Sequence, residues 1–360
     1  MALGGAVVAL SLLTPDTAWG QCAWQVFKPP SQGSAPLLLS VSALSDSDVW
    51  AVGSGGPSTV FQLQHFDGSA WSLASAPNLP QSAELVSIKA RSTDDVWAVG
   101  SSPSGGPSGY TAITVHWDGI NWSVVPNPAQ SENSTLLSVV TIGPKDVWAA
   151  GFHDSLSTGI QPLIEHFDGK RWVIDDSYDP KGQSILQAIT GTSTTNIWAG
   201  GYGGSSGALI ESRDKQTHSW TLSPTAIGTY VDAMSARSAS DVWAVGPPNV
   251  GGLFVERWDG ASWSAVPYPR GGNAVLYAVD AMPSGDTWFA GLIDNGSVIT
   301  AFVDRYQKRW TDMRVIQAGK HNTQITAVTS VPGSPNVWVV GDYGPTPSNH
   351  YDLAERYTCK

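Results

Sequence analysis

DVWAVGSGGPSTVFQLQHFDGSAW, residues 48–71, is the stretch whose reading decides the fold. Its opening triplet returns as Asp95-Val96-Trp97, Asp146-Val147-Trp148 and Asp241-Val242-Trp243. Looser copies are Asn196-Ile197-Trp198, Asp286-Thr287-Trp288 and Asn336-Val337-Trp338. The seven tryptophans, at 50, 97, 148, 198, 243, 288 and 338, are 47, 51, 50, 45, 45 and 50 residues apart. A fixed period of this length means one supersecondary unit per repeat.

Four short strands are legible in each period from alternation and turn residues. In the first unit Leu38–Leu44 reads as strand A, Val49–Gly53 as B, Thr59–Phe66 as C and Ala70–Ala74 as D, with Asp67-Gly68 supplying the tight hairpin that Asp-Gly favours. The hairpin recurs as HWDGINW from His116, HFDGKRW from His166 and RWDGASW from Arg257, and degenerates in the fourth and sixth units. Four antiparallel strands per 45 to 51 residues without helical periodicity is the pattern of a propeller blade, so an all-β propeller of seven four-stranded blades is expected.

The two ends of the chain complement each other. The seventh unit stops at Lys360 after three strands, while Cys22–Phe27 reads as a D strand with no A, B or C before it. The N-terminal strand is therefore expected to close the last blade. Superposing Trp24 on Trp71 and Tyr357 on Phe66 puts the only two cysteines, Cys22 and Cys359, at adjacent positions of one split hairpin, which predicts a disulfide and an oxidising compartment.

Residues 1–20 read as a signal peptide, with apolar Ala2–Leu13 and small Ala18 and Gly20 before a cleavage site, although no Lys or Arg precedes Lys28. Residues 21–360 then form a single domain, secreted or at the cell surface, periplasmic or extracellular. With 14% charged residues and a net charge of −11, phosphate backbones and anionic lipid surfaces are repelled, so no nucleic-acid partner is expected. No stretch after the leader has the roughly 18 to 20 apolar residues of a membrane span. Of the 17 tryptophans, seven fall on B strands, seven open D strands, Trp117 and Trp258 end C strands, and Trp19 lies in the leader.

With strand B reading DVWAVG or NIWAGG, strand C ending VERWD at Val255–Asp259 and a tryptophan opening strand D, the unit resembles the kelch repeat of galactose-oxidase-like propellers. The aromatic-Asp-Gly-x-x-Trp hairpin also looks like a shortened Asp-box, as in sialidase-type and photosystem-assembly propellers, and is similar to the WDG-x-x-W repeat of fucose-binding seven-bladed lectins. Each resemblance implies a seven-bladed ring and none implies a particular activity here. Galactose-oxidase chemistry would need copper and a cysteine crosslinked to tyrosine, whereas both cysteines are assigned to closure.

His65, His116 and His166 share one repeat position and Arg257, Arg305 and Arg356 share it later in the chain. Equivalent positions lie far apart around a ring, so pairing with the Asp that opens strand B is favoured over a zinc site, and neither metal nor cofactor is expected. Adjacent acids such as Asp94-Asp95 and Asp175-Asp176 read as solvated turn residues, and no catalytic residue is assigned. The B–C and D–A loops vary in length and make the candidate binding face. On it we place Tyr110, Phe152, His153, Asp154, Tyr202, Asp294, Asn295, Asp342, Tyr343 and His350, a mixture suited to stacking on and hydrogen-bonding a sugar or peptide. The expectation is a non-catalytic, monomeric binding propeller for an extracellular glycan or protein. The alternatives are a repeat lectin with several inter-blade sugar sites and a hydrolase or lyase acting on polysaccharide.

Overall fold

The computed structural model describes residues 22–359 apart from 57–60, 76–77, 81, 104–108, 132, 156, 179–181, 227, 229, 250–251, 320 and 347–348. The expected leader lies outside the described residues. No helix among them is long and apolar enough to cross a membrane.

The first unit forms strands Leu37–Ser45, Asp48–Ser54, Phe61–Phe66 and Trp71–Leu73, paired in that order. Strand B is buried along its length, with Val49, Trp50, Ala51 and Val52 all at most 4% exposed, because both its edges are paired and both its faces are covered by neighbouring units. That is why it reads as a continuous apolar run. Strand D is an edge, and only its tryptophan is buried while the next two residues face solvent. Among the described residues helical structure is confined to two single 3₁₀ turns at Pro128–Ser131 and Gly204–Ser206.

The sheet count corrects the expectation of seven separate blades. Five units form discrete four-stranded sheets, and the sixth and seventh share one eight-stranded sheet. The cause is a parallel pairing of Ile299, where the sixth unit's strand C begins, with Asn322, where the seventh unit's strand A begins, supported by Ile299 N–H donating to the carbonyl of His321 at 3.2 Å. The N-terminal strand Cys22–Phe27 pairs antiparallel with Asn349–Cys359, from Cys22 opposite Cys359 to Phe27 opposite Ala354. It is thus the edge of an eight-stranded sheet rather than the fourth strand of a separate blade. The Cys22–Cys359 disulfide is formed across that edge, spanning 337 positions of sequence.

Between consecutive units the packing follows from the alternation of side chains along strand B. Trp50 clusters with Ala98 and Trp122 of the second unit, Trp97 with Ala149 and Trp172 of the third, and Trp148 with Ala199 and Trp220 of the fourth. Each tryptophan faces forward, and the residue after it, alanine in five units and Phe289 and Val339 in the sixth and seventh, receives the tryptophan of the unit behind. At the last seam Trp338 clusters with Ala51 and Trp71, so the end of the chain packs on its beginning. The rings meet edge to face, Trp50 to Trp122 at 5.4 Å and 74°, Trp97 to Trp172 at 5.4 Å and 83°, Trp71 to Trp338 at 5.5 Å and 88°, the geometry aromatic quadrupoles prefer.

Innermost strands have an inward edge with no sheet partner, which would leave backbone groups unsatisfied. Hydroxyls of the preceding unit meet this need. Ser42 Oγ accepts from Ala90 N–H at 3.0 Å, Ser87 from Val139 at 3.1 Å, Ser138 from Ile189 at 3.1 Å, Thr190 from Ala236 at 3.0 Å and Ser235 from Ala281 at 3.0 Å. Asp280 accepts from Ser330 N–H at 2.6 Å, and Thr326 Oγ1 donates to the carbonyl of Leu38 at 2.6 Å.

Candidate functional site at the channel mouth

Strand A of six units carries a β-bulge near its start, with register shifts at Leu38/Ser40, Leu85/Ser87, Leu136/Ser138, Leu186/Ala188, Leu276/Ala278 and Ile325/Ala327. A bulge leaves one extra residue outside the ladder and re-aims its side chain. These extra residues are Leu39, Val86, Leu137, Gln187, Tyr277 and Thr326, and the fifth unit contributes Asp232 immediately before its strand A (Ala233–Ser238). Together they line a cavity of about 390 Å3 at the axis, joined by Leu37 and Gln324. Its rim belongs to the B–C and D–A loop face, since the start of each strand A pairs with the end of strand B.

The seven positions divide by chemistry. Leu39, Val86 and Leu137 form an apolar arc on the first three units, and Gln187, Asp232, Tyr277 and Thr326 form a polar arc on the other four. Burial raises the Asp232 carboxyl to about 6, which still leaves it ionised at neutral pH. Burial and the nearby Asp232 and Asp294 charges raise the Tyr277 phenol. Tyr230 is raised by burial and by Asp232, against a hydrogen bond from Gln187 Nε2 to its hydroxyl. The Tyr202 ring lies 6.2 Å from that of Tyr230.

The ten residues chosen from sequence are scattered, and they sit mostly on strand ends rather than in loops. Tyr202 and Asp294 reach the rim through Tyr230 and Tyr277. Asp342 is only 2% exposed, its Oδ2 taken by His350 Nδ1 at 2.6 Å, while the His350 side chain itself is part-exposed. Tyr343 stacks against Tyr351 at 5.5 Å. Phe152, His153 and Asp154 lie within strand B of the third unit (Asp146–Ser155), where His153 borders a separate cavity of about 330 Å3 with Asp175, Asp176 and Ser177. Tyr110 is 52% exposed at the start of its strand, and Asn295 is exposed in the turn after Asp294. The channel residues escaped the sequence reading, yet they carried a signal: aliphatic-x-small recurs as Leu38-Leu39-Ser40, Leu85-Val86-Ser87, Leu186-Gln187-Ala188 and Ile325-Thr326-Ala327.

Four of the six basic residues ending strand C are engaged with the Asp that opens strand B of their own unit, whereas Arg356 donates instead to the carbonyl of Asp46 in the first unit at 3.4 Å and to Gln25 Oε1 of the N-terminal strand at 3.3 Å. His65 Nε2 lies 2.8 Å from Asp48, His116 2.9 Å from Asp95, His166 2.8 Å from Asp146, and Arg257 Nε donates to Asp241 at 2.8 Å. Asp95 is not the solvated turn residue expected, being 6% exposed. Burial pushes its carboxyl up, but hydrogen bonds from His116 and Arg91 outweigh that and hold it below its usual value. No group of three or more His, Cys, Asp or Glu among the described residues is arranged to hold a metal ion.

Two further cavities lie between units on the short-turn side. One, of about 500 Å3, is walled by Trp50, His65, Trp117 and Trp122 between the first and second units. Its counterpart between the fourth and fifth, about 440 Å3, is walled by Trp198, Arg213 and Trp258. They coincide with the two units whose strand C ends in tryptophan.

Against known proteins, no family model and no curated protein matches the sequence. Solved structures do. A structure described as YCF48 bound to D1 peptide is similar over 94% of this chain and 97% of its own, with a TM-score of 0.60 and 16% identity. YCF48 from Cyanidioschyzon merolae gives 0.57 and 14% over 93% of this chain and 99% of its own, and the WD40 β-propeller domain of Doa1 gives 0.58 and 11% over 96% and 98%. The chain has the propeller fold. At these identities the likeness speaks for the fold alone, and the absence of a matching family leaves the kelch, Asp-box and lectin likenesses as likenesses.

Proposed function

We propose that this is a non-catalytic binding propeller that docks a polypeptide segment of a partner protein on its loop face, centred on the channel mouth. The observation that carries the reading is the residue at or just before the start of strand A that successive units supply to one cavity, half apolar and half polar. A cavity of about 390 Å3 falls at the low end of the roughly 300 to 1,000 Å3 of ligand pockets, enough for one or two side chains of an extended segment. That a neighbour of the same fold is described as bound to a peptide supports a polypeptide as the ligand class. In this reading the eight-stranded sheet acts as two blades, supported by the apolar layer of Trp288, Ala290, Val337 and Val339 between its halves. Export to an oxidising compartment is part of the proposal, supported by the disulfide.

The test is panning of a random nonapeptide library on the immobilised protein. Enriched peptides that lose binding to a Leu137→Asp variant, with Ile120→Asp on the opposite face as control, are the expected result. Enrichment insensitive to Leu137→Asp, or none at all, would sink the reading. The paired Trp50/Trp117 and Trp198/Trp258 cavities favour a second reading, a lectin with two inter-unit sugar sites. A glycan array followed by calorimetry would then give two sites per chain, lost on Trp117→Ala and Trp258→Ala.

A further inference from the structure

Asp232 is the one charged residue among those lining the channel mouth. Among the described residues its carboxylate has neither an ion pair nor a hydrogen bond, and burial alone acts on it. The contrast with the rest of the molecule is sharp: Asp48, Asp95, Asp146, Asp241 and Asp304 each have a base within 3 Å. A carboxylate half-withdrawn from water without a partner carries a cost to the folded state. Even the buried Glu165, Glu211 and Glu355, which have no base beside them, each accept a backbone N–H, so a carboxylate facing the cavity with no such bond marks a group held ready for something that arrives from outside.

The surroundings restrict what arrives. Opposite Asp232 across the cavity stand Leu39, Val86 and Leu137, and beside it the Tyr277 ring is 38% exposed. The nearest further charge acting on this cluster, Asp294, is also negative. An apolar stem ending in a cation satisfies all three features: the aliphatic arc takes the methylenes, the tyrosine face takes part of the charge and Asp232 the rest. An anionic chain terminus or acidic side chain would meet repulsion from both acids.

We propose that the channel mouth is a receptor for a single lysine or arginine side chain projecting from the docked polypeptide, with Asp232 as its counter-ion. This rests on the docking reading above and narrows it to a partner chemistry. The probe is a set of nonapeptides selected on the wild-type protein, each resynthesised with norleucine in place of its basic residue, titrated against wild type and Asp232→Asn. The expected result is a lysine or arginine at one position of the selected peptides and a loss of at least about tenfold on norleucine replacement. Asp232→Asn should lose a similar factor, with no further loss when both changes are combined. Norleucine peptides binding as tightly as their parents, or an unchanged affinity in Asp232→Asn, would overturn the cation receptor while leaving the docking reading standing on Leu137→Asp. If no selected peptide depends on Leu137, both fall. Asp232→Asn removes an unpaired, half-buried charge, so its thermal midpoint should hold or rise, which separates lost binding from lost fold.

Discussion

Glu211 and Glu355 occupy one position on strand C of the fourth and seventh units, fully buried, and the same position holds Glu165, Asp304 and, in the first unit, Gln64. Each grips the segment that crosses in from the unit before. Glu165 accepts from Ala129 N–H at 3.0 Å, Glu211 from Tyr178 N–H at 2.6 Å and Glu355 from Ile316 N–H at 3.1 Å. Asp304 takes Arg270 through two hydrogen bonds of 2.6 and 2.7 Å, and Gln64 donates to the carbonyl of Pro30 at 3.2 Å. Burial outweighs the single amide bond and raises Glu211 and Glu355 to about 8, and Glu165 to about 7, from an ordinary 4.5. The folded chain therefore keeps these protons while the unfolded chain releases them from about pH 4.5 upward. The stabilisation is complete below that point and is lost as pH rises toward 8. Wild type should melt at a higher temperature at pH 5 than at pH 8, the two carboxyls together accounting for up to roughly 7 kcal/mol at about 1.4 per pH unit each. Glu211→Gln combined with Glu355→Gln should flatten the profile, and an unchanged slope in differential scanning would refute the assignment.

The element that repeats most faithfully is strand B, whose tryptophan is followed by alanine in five units, one large and one small residue facing opposite neighbours. Ala98 sits at 0% exposure in the cluster that holds Trp50 and Trp122. Enlarging it to leucine forces extra methylenes into a filled seam, a change that typically costs about 1 to 3 kcal/mol. Ala98→Leu should lower the urea midpoint accordingly, and a wild-type midpoint would show that the seam has slack. The hairpin joining strands C and D makes a second element-scale prediction. Gly68 has a φ of 96°, and a Cβ there would stand 2.7 Å from the Cβ of Ser47. Gly68→Ala meets both the left-handed penalty of roughly 1 to 2 kcal/mol and that contact. It should destabilise more than Gly159→Ala, where φ is 73° but nothing lies within 4 Å. Equal losses in the two variants would mean that backbone conformation alone governs the turn.

At the scale of the molecule, stability depends on joining residue 22 to residue 359. Closing a loop of 337 positions removes unfolded-state entropy worth roughly 5 to 6 kcal/mol in the chain-entropy treatment, an upper bound. Cys22→Ser should lower the thermal midpoint by several degrees, and dithiothreitol should bring wild type to the same value while leaving the variant unmoved. A variant that melts with wild type would show the edge pairing from Cys22 to Phe27 sufficient without sulfur. The seam at Trp338, Ala51 and Trp71 makes this junction equivalent to the other inter-unit seams, so its loss should open the ring there first.

Repetition made most of the architecture legible in the sequence. DVWA fixes a central strand with one large and one small face, Asp67-Gly68 fixes a hairpin, and the placement of two cysteines at complementary ends fixes their bond. These are local preferences restated seven times, so each copy corroborates the others. Tertiary structure decided what depends on distance rather than on neighbours in the chain. The parallel pairing of Ile299 with Asn322 fuses two units into one sheet, because a backbone edge accepts any strand that reaches it. The burial of Asp342 follows from cross-strand contact with His350. The channel mouth is the clearest case: Leu39, Gln187 and Tyr277 are far apart in the chain and meet only because each bulge turns one side chain toward a common axis, where Asp232 joins them from just before its own strand A. A pattern read along one unit shows which residue is extra, and only closure of the ring shows what the extra residues face.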